Sequence, residues 1–308
     1  MNRPTRQTAG GRAFLDLQNR ARREKRTTQE LLTLYVLERW LARMAVSRHA
    51  QAFVLKGGLL LSVFDARRTT ADADLLARNL ANDQATVIRR VREITTVTLD
   101  EDDGVAYLPD TIVAQTIRDD ADYSGVRVTM DCRLATATVK LKLDINVGDP
   151  ITPAPAWIDM PSQRPDLAAV RILGYPIETV LAEKSSTAIA LGEANTRVRD
   201  YVDLYVLTGK HRLSHDVMYA ALNATMTHRG VTVRPLSEVV GELGALRQSA
   251  YKAFRGRLGP DGLELPATLT EIVSVACGFV DPLVDEATSS SSTWWPESRE
   301  WKSTGPDV

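Results

Sequence analysis

Between residues 28 and 48, Leu31, Leu34, Leu37, Leu41 and Met44 recur at helical spacing, with Thr28 placed as an N-cap. Residues 12–26 predict a helix that presents Phe14, Leu15 and Leu17 on part of its surface. A short apolar step at 53–55 meets Lys56, Gly57 and Gly58, and then Leu59, Leu60, Leu61, Val63 and Phe64 predict a turn into a short buried helix. In 67–77 the period falls to two, with Ala71, Ala73 and Leu75 alternating against Asp72 and Asp74, the signature of a strand. Helix follows over 81–94, then extended segments at 95–99, 105–108 and 126–134. The most regular strand is 139–147, where Leu141, Leu143, Ile145 and Val147 oppose Lys140, Lys142, Asp144 and Asn146.

Pro150, Pro153, Pro155, Pro161 and Pro165 end this strand series, and the helical period returns at 177–191 and 198–207, with further helices at 214–227, 236–253 and 267–280. The fold class is α/β (α+β), a mixed-sheet core followed by a mainly helical C-terminal domain. The boundaries read as a basic extension (1–27), a core (28–165), a helical domain (166–286) and a Ser/Trp-rich tail (287–308). That tail, with Trp294, Trp295 and Trp301, is expected to be loosely ordered unless its tryptophans dock.

Composition adds exclusions. With 308 residues, 44% hydrophobic and 25% charged, the chain has the make-up of a folded protein and not of a disordered one. Cys132 and Cys277 are too few for a disulfide scaffold or a thiolate metal knuckle. No apolar run approaches membrane-spanning length and no secretory signal opens the chain, so no membrane association and a cytoplasmic location are expected. The net charge of -1 hides blocks: residues 1–30 carry eight basic groups against three acidic, and 98–122 carry eight acidic groups against Arg118 alone. Such blocks either orient parts of one chain, present a basic surface to a polyanion, or are merely solvated.

The chemistry centres on Asp72 and Asp74. Residues two apart on a strand point to one side, with alpha carbons about 7 Å apart, so the carboxylates converge on a cation. Oxygen donors without nearby histidine or cysteine suit Mg2+ or Mn2+. An isolated D-x-D is usually surface decoration; here Lys56, Gly57 and Gly58 stand upstream, where backbone can approach phosphate closely. Asp144, with Lys142 on the same strand face, would complete a three-carboxylate metal site if its strand adjoins, and would otherwise be a solvent-facing edge residue. A second constellation pairs Lys184, beside Ser185, with Asp200 and Asp203 at i, i+3, approached by Arg197 and Arg199; intrahelical salt bridging is its structural alternative.

These residues carry a resemblance. FVLKGGLLLSVFDARRTTADAD at 53–74 is similar to the opening motif of the AbiEii/AbiGii nucleotidyltransferase-like toxins, a glycine pair followed by R-x-T-x-D-x-D, matched by Arg68, Thr70, Asp72 and Asp74. IETVLAEKSS and TRVRDYVDLY resemble that family's E-x-x-x-x-E-K helix and R-x-[KR]-D-x-x-D segment, placing Lys184 and Asp200. The likeness covers about residues 31–207. It implies a DNA-polymerase-beta-like fold and the toxin of a type IV toxin–antitoxin or phage-defence system, using a nucleoside triphosphate (NTP) to extend the 3′ end of RNA, above all transfer RNA, and so block translation. It further implies that Lys56, Gly57 and Gly58 hold phosphates with Arg68, Thr70, Ser185 and Arg197 nearby. Asp72 and Asp74 would bind metal, Lys184 would steady the triphosphate, and Asp200 would orient or activate the acceptor. Gly58 stands where broader polymerase-beta relatives have serine. An antitoxin is the implied partner; the oligomeric state is not set by the sequence, a monomer being the preferred reading. The competing readings are transfer to a protein or small-molecule acceptor, and a non-enzymatic RNA-binding or interaction module.

Overall fold

The computed structural model describes residues 3–66, 70–78, 80, 83–119, 123–285 and 291–303, which form two compact units: the first comprises the chain up to Asp149 together with Ala156–Tyr175, the second Pro150–Pro155 and the chain from Pro176. In the first, α1 (Ala9–Glu24) starts three residues before the predicted helix because the Thr8 side chain accepts from Gly11 N–H, and it stops where Lys25 turns left-handed at φ 53°. The cap of α2 (Thr28–Val46) is Thr27, not Thr28. The helix is buried nearly all round, including Glu38, Arg39 and Arg43. Those charges are paired: Glu38 Oε1 lies 3.4 Å from Arg39 Nε and also accepts from Ser162 Oγ at 2.8 Å, and Arg43 forks onto Asp103. Each fully buried leucine of this helix contributes about 1.5–3 kcal/mol.

The sheet is eight-stranded and mixed, in the order β3 (Val105–Tyr107), β5 (Tyr123–Leu134), β6 (Ala137–Val147), β2 (Ala73–Ala77), β1 (Phe53–Lys56), β8 (Val170–Gly174) and β7 (Ala156–Met160), with β4 (Val113–Asp119) also beside β5. The helix α2 packs on β6 and β8. Two expectations are corrected here, and one strand is additional. Residues 95–99 are the end of α4 (Gln84–Thr95) and a turn, not a strand. Strand β4 was hidden because it lies mostly exposed at an edge, Val113 included, and so has no apolar alternation. The prolines do not end the strand series: β7 and β8 return to the sheet, and β8 runs parallel to β1.

The second unit is helical: α5 (Ile177–Leu191), α6 (Val198–Thr208), α7 (His215–Arg229), α8 (Leu236–Val239), α9 (Leu243–Leu246), α10 (Gln248–Arg257) and α11 (Leu269–Val280). The single helix predicted at 236–253 is three pieces, and the first break falls where Gly241 adopts φ +44° against the Glu193 carboxylate. Nor is the described part of the tail loose. Strands β10 (Ser292–Trp295) and β11 (Glu300–Ser303) form a hairpin that pairs with β9 (Leu213–Ser214). Trp294, 0% exposed, donates to Thr208 O at 2.7 Å and meets Phe279 edge-on. No helix among the described residues is long and apolar enough to cross a membrane.

Candidate active site

Strand register assembles the first group. Lys56 of β1 is the partner of Asp74 in β2, Asp74 of Asp144 in β6, and Asp144 of Arg127 in β5. Partners in register share a face of the sheet, so four adjacent strands set cation, carboxylate, carboxylate and cation in one row. Asp72 lies in a bend just before β2 and is not part of the strand as predicted, yet it reaches the same side: Lys142 Nζ, two residues before Asp144, donates to Asp72 Oδ2 at 2.8 Å. The Thr70 hydroxyl lies within hydrogen-bond reach of both Asp72 Oδ1 (2.9 Å) and Asp72 O (3.2 Å).

The glycines have a geometric reason. Gly57 adopts φ +68°, and a Cβ there would stand 1.9 Å from Asp74 Oδ2. Its backbone is therefore the wall against which the Asp74 carboxylate rests. Gly58, buried, continues into the one-turn helix α3 (Gly57–Leu60). Lys56 is 7% exposed; its Nζ donates to Asp149 Oδ2 at 2.8 Å and stands 5.2 Å from the centre of the Tyr175 ring. Arg68 lies outside the described residues.

Asp144 is buried, and both its oxygens accept from Arg127 at 2.7 Å, through Nε and Nη2. The Arg127 guanidinium holds its proton more firmly than usual, chiefly through these Asp144 hydrogen bonds and further through the charges of Asp72 and Asp74. Among the described residues no group of three histidine, cysteine or acidic side chains is gathered for a metal ion. Two carboxylates do fit one hard cation, because Mg2+ characteristically takes one or two protein carboxylates and fills its shell with phosphate oxygens and water.

The second group lies in the other unit. Lys184 of α5 donates to Asp200 Oδ1 at 2.8 Å and Asp203 Oδ2 at 2.6 Å, both on α6, and Arg197 Nε lies 2.9 Å from Asp200 Oδ2. Asp200 and Asp203 are 6% and 4% exposed. Burial alone raises the Asp200 carboxyl, but the charges of Lys184 and Arg197 outweigh it and leave it below its ordinary value of 3.8. Arg199 is exposed, whereas Ser185, expected near the phosphates, is fully buried.

Arg127 and Asp149 are the members sequence reasoning missed. Arg127 sits on the polar side of the alternation Val126, Val128, Met130, and a hairpin register would have set it opposite Asp144. The turn that sets this register contains Ala135 at φ 52° and no glycine or asparagine, so nothing in the sequence marked it.

No curated protein matches this chain. Among solved structures, JHP933 from Helicobacter pylori is similar at 18% identity, over 74% of this chain and 94% of that one, with a TM-score of 0.40. A candidate nucleotidyltransferase from H. pylori is similar at 17% identity, over 76% and 98%, with a TM-score of 0.39. A family model described as nucleotidyl transferase AbiEii toxin, type IV toxin–antitoxin system, matches residues 39–275, a span that includes both groups of site residues.

Proposed function

This chain belongs to the AbiEii nucleotidyl transferase toxin family of type IV toxin–antitoxin systems, and from that premise we propose that it transfers a nucleoside monophosphate from an NTP to the 3′ hydroxyl of an RNA, most naturally a transfer RNA. In this reaction the acceptor oxygen bonds to the α-phosphorus, the bond to pyrophosphate breaks and pyrophosphate leaves. The end product is an RNA blocked for translation, made in the cytoplasm and restrained by a cognate antitoxin; phage defence is one setting in which such arrest is useful.

The observation that carries the reading is the row of Asp74 and Asp144 on adjacent parallel strands, with Asp72 beside it and Gly57 walling the Asp74 carboxylate. Asp72 and Asp74 would hold Mg2+ or Mn2+, which when bound neutralises the triphosphate and lowers the pKa of the attacking hydroxyl. Lys56, Gly57, Gly58 and Thr70 are assigned to the nucleotide, as is Arg68 from the motif. Lys184 is assigned to the triphosphate and Asp200 to the acceptor; both require the Lys184–Asp200 pair to loosen when substrate binds.

Incubation of the purified protein with each α-labelled NTP in the presence of total RNA and of a protein lysate tests this. Label is expected in RNA 3′ ends, with one nucleotide preferred. Label confined to protein would move the activity to a protein acceptor, and no label in either would argue for a non-catalytic RNA-binding module.

A further inference from the structure

Two acidic groups of the sheet site, Asp72 and Asp144, each have a basic side chain placed on them across a strand boundary. Lys142 Nζ donates to Asp72 Oδ2, one of the two oxygens Asp72 could offer a cation, and Arg127 closes both oxygens of Asp144. Neither cation is deeply buried: their side chains are 30% and 31% exposed, so both can swing away without leaving a cavity. Three carboxylates on one sheet face repel one another, and with these two partners in place the face holds together without a metal.

We propose that Lys142 and Arg127 are resident counter-cations of the carboxylate site. They compete with the divalent ion, Lys142 directly for Asp72 and Arg127 by keeping Asp144 from acting as a further ligand. When ion and nucleotide arrive together, Lys142 exchanges its carboxylate for a triphosphate oxygen. The ion therefore binds poorly by itself and well with NTP, which ties metal loading to substrate. This inference rests on reading Asp72 and Asp74 as the cation site.

The test is Mn2+ binding by the full chain without nucleotide, followed by electron paramagnetic resonance and calorimetry. Lys142→Met and Arg127→Gln are each expected to tighten Mn2+ binding by about tenfold, because each removes a unit positive charge from the site. Lys140→Met, which removes a charge from the same strand face that is paired with Asp131, is expected to stay within about twofold of wild type. With NTP present, Lys142→Met should show a raised KM for the nucleotide in spite of its tighter metal. A merely structural role for Lys142 would weaken Mn2+ binding or leave it unchanged, and that result overturns the inference while wild-type binding keeps the metal reading intact. Absence of Mn2+ binding in wild type and both variants would overturn the metal reading and the inference together. Should Arg127→Gln fail to fold, Lys142→Met and the charge-preserving Arg127→Lys decide: the inference requires the first to tighten binding and the second to match wild type.

Discussion

The sheet row and the Lys184 cluster use the same residue types to opposite effect. Around Lys184 two buried carboxylates close on one ammonium, with Arg197 behind Asp200, and little of the cluster meets solvent. On the sheet, Asp72 and Asp74 are half-buried, Asp72 is met by Lys142, whose side chain itself reaches solvent, and the Asp74 carboxylate leans on a bare glycine. Low-dielectric burial makes the first cluster costly to break by removing one partner. Partial exposure makes the second able to exchange partners at small cost.

Substitutions that break each region separate these roles. The largest effect is expected from Lys184→Met, which removes the ammonium shared by the buried Asp200 and Asp203 and should lower unfolding free energy by about 3–5 kcal/mol in urea denaturation. Adding Asp203→Asn should recover part of that loss. If Lys184→Met is as stable as wild type, the cluster is not the strut described. Next comes Gly57→Ala, which drives a methyl into Asp74 Oδ2 and adds strain at φ +68°. Nucleotide transfer should fall by about a hundredfold. Equal turnover would show that the carboxylate does not need the glycine wall.

These two positions also show what the sequence made legible. The glycine pair and the D-x-D were visible as motifs, and the alternation in 139–147 located Asp144 correctly on a polar face. What could not be read was register: whether Asp144 adjoins Asp74 depends on β6 lying parallel to β2, a long-range pairing that no local pattern encodes. The return of β7 and β8 after the prolines was missed for the same reason, since a five-residue strand such as Val170–Gly174 gains its identity from parallel pairing with β1. Trp294 was visible as a residue but not as core, because its burial depends on the Thr208 carbonyl and Phe279, far away in sequence.

A smaller effect is expected from Thr70→Val, which removes the hydroxyl beside Asp72 with little change in shape. Activity should drop by about fivefold, in keeping with about 1 kcal/mol for one hydrogen bond, and thermal stability should change little. A large loss of stability instead would make Thr70 a folding residue. The smallest effect is confined to acid. Asp200 titrates below 3.8 in the fold, so its contribution is complete above that pH and is lost as pH falls through the lowered value. Acid unfolding followed by circular dichroism should therefore be less steep in Asp200→Asn below pH 3.8 than in wild type, and an unchanged slope would remove the linkage.

Asp74 and its neighbours on the sheet are proposed to perform nucleotide transfer. This role is tested most directly by sequencing RNA 3′ ends after incubation of total RNA and all four NTPs with wild type and with Asp74→Asn of matched circular dichroism. Added nucleotides on one class of RNA are expected in the wild-type reaction, and none with Asp74→Asn. Equal addition by a folded Asp74→Asn would contradict the role.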